Sequence, residues 1–195
     1  MTSTPRSPLR PLALFMGVMT LAWASNAVEA APAPAALFAL LGLAVIVGAA
    51  TARRADVRSP DARTARRSAP SMPTVSGRVA GILALVEVIG ILVTVLLLAR
   101  SGHGELVMPA VAVVVAAHFA LFLRVQRSWL HLVTSVLGIL GAGSALVLIA
   151  VGALDPATGR AVAGLSLAAC TALYGIVFCT LVPVSVRTVA DGARP

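Results

Sequence analysis

Lysine is missing from the 195-residue chain: every one of its fifteen basic residues is arginine. Exclusive use of arginine points to a GC-rich genome, most simply a bacterial one, and says nothing about activity. Charge of either sign is scarce, at 11% of residues against about 25% in globular domains, too little to solvate a soluble fold of this size. Aromatic residues make up 4%. With no aromatics interleaved among the arginines and no folded reader module, the net charge of +8 does not indicate nucleic-acid binding. Cysteine is limited to Cys170 and Cys179. On one helix they fall on opposite faces, about 13 Å apart along the axis and beyond disulfide reach, so both are expected as small buried side chains. A phosphate-binding G-x-x-x-x-G-K loop, an H-E-x-x-H pair and a C-x-x-C pair are all lacking. The sequence therefore implies no cofactor and no metal, and no motif in it names a family.

What fills the chain is apolar sequence: 59% of residues are hydrophobic, collected in long uncharged runs of the kind that cross bilayers. Six such runs stand out, over residues 12–25, 35–51, 78–99, 106–123, 129–153 and 161–184. At about 20 residues each they use roughly 120 residues and leave no room for a folded soluble domain. The expected fold is an all-α, six-span membrane protein. A two-helix hairpin (1–51) is joined by an Arg-rich disordered loop (52–77) to a four-helix unit with a short tail (78–195). The N-terminus also fits a secretory signal, with Val28, Glu29 and Ala30 as the cleavage site. Cleavage there would leave only residues 31–34 before the next span, so an uncleaved first helix is expected. Pro32 and Pro34 suit an extended link, and residues 154–159 read as a turn.

Arginine placement sets the orientation. Thirteen arginines fall in the tails and in the loops on one side, and only Arg100 and Arg160 fall on the other. By the positive-inside rule both termini are cytoplasmic, and the protein is a multi-pass component of the bacterial inner membrane. The loop arginines Arg53, Arg54, Arg58, Arg63, Arg66 and Arg67 are primarily orienting charges, and are also candidates to hold anionic lipid headgroups.

Two ionisable residues lie well inside apolar runs, Glu87 in GRVAGILALVEVIGILVTVLLLAR and His118 in ELVMPAVAVVVAAHFALFLR. They are equidistant from the centre of the turn between them, which lies between Gly102 and His103. Antiparallel helices rising about 1.5 Å per residue place them at the same depth. An ionised carboxylate near mid-bilayer costs about 2.5–3.5 kcal/mol on insertion scales, so Glu87 is expected to be protonated, paired or facing water. If the two touch, they titrate as one unit. Ala80, Ala84, Gly90 and Thr94 form a small-residue face around Glu87 that favours close helix approach. A second such stripe, His131, Thr134, Gly138, Ala142 and Ala145, runs down the fifth span. His131 and Tyr174 are weaker candidates for lining the same path. His103 and Glu105 read as part of a solvated outer turn rather than half of a metal site.

Three functional readings follow. The leading one is a small transporter or permease-like protein with Glu87 as its proton- or cation-responsive group and His118 as its partner. The alternative is a non-catalytic subunit, assembly factor or sensor, in a homo-oligomer or with a membrane partner, in which the pair is interhelical glue. An intramembrane enzyme ranks last, since no nucleophile–base spacing is present.

Overall fold

The computed structural model describes residues 9–58, 77–125 and 128–190. The described residues form six α-helices and no strand: α1 (Leu9–Ser25), α2 (Pro32–Arg58), α3 (Gly77–Arg100), α4 (Val107–Val125), α5 (Trp129–Ala150) and α6 (Pro156–Ala190), with one 3₁₀ turn at Gly104–Leu106 before α4. Five segments are long and apolar enough to cross a membrane: Pro32–Thr51, Arg78–Arg100, Gly104–Val125, Trp129–Ala150 and Pro156–Thr180. α1 is shorter, at 17 residues. This architecture is consistent with a polytopic membrane protein.

Helix ends depart from the apolar runs where local chemistry intervenes. α6 begins at Pro156, five residues before the expected start. The Asp155 carboxylate accepts a hydrogen bond of 2.9 Å from the Thr158 backbone N–H, and proline suits the first helical position. For the same reason Pro32 and Pro34 lie in the first turn of α2 rather than in an extended link. At its other end α2 runs seven residues past Thr51, carrying Arg53, Arg54 and Arg58 on its last turns. Arg63, Arg66 and Arg67 lie outside the described residues. The C-terminal ends of α3 and α5 close alike: His103 N–H reaches the Leu98 carbonyl at 3.0 Å and Ala153 N–H the Leu148 carbonyl at 2.8 Å. Each bond spans a glycine of positive φ, Gly102 (79°) and Gly152 (71°), the backbone such caps require.

α6 is the hub, packing against α1, α2, α4 and α5, whereas α3 packs chiefly on α4. The N-terminal hairpin is thus not set apart, and the peripheral element is α3. α1 is built into the bundle by a buried stripe of Ala13, Gly17, Thr20, Trp23 and Ala24. A Cβ on Gly17 would stand 2.6 Å from Ile46 Cγ1, and one on Gly42 would stand 2.9 Å from the Gly17 carbonyl oxygen, so α1 and α2 meet backbone to backbone. The α5 stripe is also a contact face, with Thr134, Gly138, Ala142 and Ala145 buried. A Cβ on Gly138 would press Ala116 of α4 at 2.8 Å and Leu167 of α6 at 3.3 Å. Large aliphatic side chains of α3, including Leu85, Leu92 and Leu97, stay exposed, as expected of a helix facing lipid.

Candidate functional site

Glu87 and His118 come together across the α3–α4 interface. Glu87 Oε2 lies 3.5 Å from His118 Nε2, and the side chains retain 23% and 11% of their exposure, respectively. The helices approach closely there because Gly90, one turn beyond Glu87, leaves room against Val114: a Cβ at Gly90 would stand 3.0 Å from Val114 Cγ1. Of the small-residue face only part is covered; Gly90 and Thr94 are half-buried and Ala84 is exposed. The other ring nitrogen of His118, Nδ1, is buried and has no hydrogen-bond partner among the described residues. An unmet buried polar atom costs roughly 1–3 kcal/mol.

His131 and Tyr174 also meet. His131 Nδ1 and the Tyr174 hydroxyl form a close hydrogen bond between α5 and α6. The Thr134 hydroxyl donates to the Leu130 carbonyl at 2.8 Å and stands 3.3 Å from the Tyr174 oxygen. Behind it the Cys170 thiol donates to the Thr134 carbonyl at 3.2 Å. Cys179 instead turns toward α2, with its sulfur 3.5 Å from the Val45 carbonyl. The two free thiols therefore face different helices.

Phe122 connects the two polar pairs. Its ring meets His118 edge-on at a centroid distance of 4.9 Å and stacks on His131 at 5.6 Å. Phe119 and Phe178 pack on Tyr174 at 5.1 and 5.7 Å. All four sequence-derived candidates thus lie in one run from α3 through α4 and α5 to α6. Phe122 is not singled out by the sequence, and Thr134 is visible there only as a stripe residue. The signal that places them is the turn-centre count already used for Glu87 and His118. Counted between the observed helix ends, Phe122 and His131 come within one residue of equidistant about the α4–α5 turn, and His131 and Tyr174 within one residue about the α5–α6 turn.

His103 and Glu105 approach to 3.3 Å on the exposed turn between α3 and α4, with side-chain exposures of 59% and 39%. Among the described residues no three His, Cys, Asp or Glu side chains gather where they could hold a metal ion. Near the start of α6 Arg160 pairs with Glu29 at 3.2 Å, an exposed contact worth little by itself.

Comparison with known proteins finds no significant match: none to a family model, to a curated protein or to a solved structure. What the fold and its apolar helices define is a class, an all-helical integral membrane protein in contact with lipid.

Proposed function

We propose that this is a small transporter or permease-like protein of the bacterial inner membrane, and that Glu87 and His118 are its protonatable site. The observation that carries the reading is the 3.5 Å approach of a carboxylate to an imidazole, both largely withdrawn from the surface within apolar helices. A charged group there needs a partner or a proton. A carboxyl and an imidazole in contact share that requirement, so a proton taken up by one changes what the other needs. In this reading α1 is a sixth, retained span, both termini are cytoplasmic, and the arginines of the 52–77 segment fix orientation and meet anionic headgroups. Reconstituted protein carrying Glu87→Gln loses proton-linked flux; unchanged flux would remove the assignment.

A second reading has its own support. Because α3 packs chiefly on α4, the same contact could serve mainly to fasten and register a peripheral helix in a non-catalytic subunit, assembly factor or sensor. The two separate on Glu87→Gln, which keeps hydrogen-bonding capacity but cannot change charge. A fastener keeps its function in that variant, and a protonatable site does not.

A further inference from the structure

We infer that His131 and Tyr174 form a second proton-binding site, in series with Glu87 and His118 and separated from it by the Phe122 ring. The inference rests on the protonatable reading of the first pair and extends it toward the cytoplasmic face.

Depth gives the direction. His118 lies seven residues before the end of α4 and His131 two residues into α5. At ~1.5 Å per residue, these are about 10 Å and about 3 Å from the shared turn. The two imidazoles thus descend like steps toward the Arg124 side. The chemistry at each step is that of a relay. An imidazole can take a proton at one nitrogen and release one from the other. His118 meets Glu87 through Nε2, while Nδ1 is buried and unmet. In the tautomer whose Nδ1–H donates to the Tyr174 hydroxyl, His131 keeps Nε2 free for an incoming proton. The titratable groups packed around the run are Glu87 from α3 and Tyr174 and Cys170 from α6, with the Thr134 hydroxyl from α5.

In the observed geometry the two imidazoles touch the same benzyl ring, and that ring has no group to carry a proton. Transfer therefore requires Phe122 to swing aside. Water entering the vacated space then takes the proton from His118 Nδ1 and passes one to His131 Nε2, so one N–H bond breaks, one forms, the water is regenerated and one positive charge moves with the proton. With Phe122 in place the first site exchanges protons without conducting them to the second, as a coupled carrier requires.

The test is proton entry into vesicles of purified full-length protein, driven by a potassium diffusion potential and followed with an entrapped pH-sensitive dye. Phe122→Ala is expected to raise the rate several-fold over wild type, and Phe122→Leu, which keeps most of the bulk and so protects the fold, to raise it less. Adding His131→Gln or Glu87→Gln to either variant is expected to abolish the rise. No rise in a folded Phe122 variant, or a rise that survives His131→Gln, overturns the series arrangement and leaves the Glu87–His118 reading standing. A rise lost with His131→Gln but kept with Glu87→Gln removes Glu87 from the path and, with it, the reading of the first pair.

Discussion

Thr20 on α1 and Thr171 on α6 share a buried hydrogen bond of 3.0 Å across the bundle. Each hydroxyl also faces a carbonyl of its own helix, Met16 at 2.8 Å and Leu167 at 2.9 Å, so the pair is satisfied on both sides. Interhelical hydrogen bonds in membranes contribute about 0.6 kcal/mol on average and up to roughly 1.7. Thr20→Val, which keeps the shape, is expected to destabilise the protein by that amount. A double-mutant cycle with Thr171→Val, read by unfolding in bilayer-like micelles, should return a coupling of the same size. Zero coupling would mean that α1 is held by packing alone.

The α1–α2 crossing makes a sharper steric prediction. A methyl group on Gly42 meets the Gly17 backbone oxygen at 2.9 Å, and backbone cannot move aside as a side-chain tip can. Gly42→Ala is therefore expected to cost about 1–3 kcal/mol, the usual range for overpacking. Gly143→Ala is the control, because nothing lies within 4 Å of its added carbon. It should be neutral or stabilising by up to about 1 kcal/mol through helix propensity. Equal effects at the two positions would contradict the crossing.

These contacts show what could and could not be read in advance. Helix existence was legible because lipid demands long uncharged runs, and pairing within adjacent hairpins was legible because a short turn fixes the depth of both arms. The same count pairs His131 with Tyr174 only about the observed α5–α6 turn; about the 154–159 turn expected from the sequence it misses by about two helical turns. Thr20 and Thr171 lie on helices distant in sequence, and no turn relates them, so their meeting emerges only from the packing of six helices. The hub role of α6 was hidden for the same reason: its neighbours are chosen by small residues such as Gly164 and Gly175, where an added Cβ would collide with Trp23 and Val45. The early start of α6 was readable in its Asp-Pro pair, which a turn reading obscures.

Asp155 gives a pH dependence whose sign is fixed. Hydrogen bonds from the Thr158 side chain and then its backbone hold the carboxyl below its ordinary value of 3.8. A group with a depressed folded value stabilises the fold above its unfolded pKa and loses that contribution as pH falls through the folded one. Thermal stability should therefore drop as pH falls below about 4, where an unfolded Asp titrates. Asp155→Asn keeps the cap but should remove this part of the slope. An unchanged slope in that variant would show that other carboxylates carry it.

Orientation is open to chemical labelling. In a background with Cys170→Ala and Cys179→Ala, a membrane-impermeant thiol reagent should reach Ser101→Cys and Ala153→Cys from the outer side of intact cells. Ser68→Cys should react only after the cells are opened. The reverse pattern would invert the arginine-based topology.

The central claim is that Glu87 changes protonation state inside the membrane under the influence of His118. Infrared difference spectroscopy of the reconstituted protein across a pH titration tests it without knowledge of a substrate. A carboxyl C=O band should appear as the pH is lowered, vanish in Glu87→Gln, and titrate with a displaced midpoint in His118→Gln. The same band and the same midpoint in all three proteins would contradict the account.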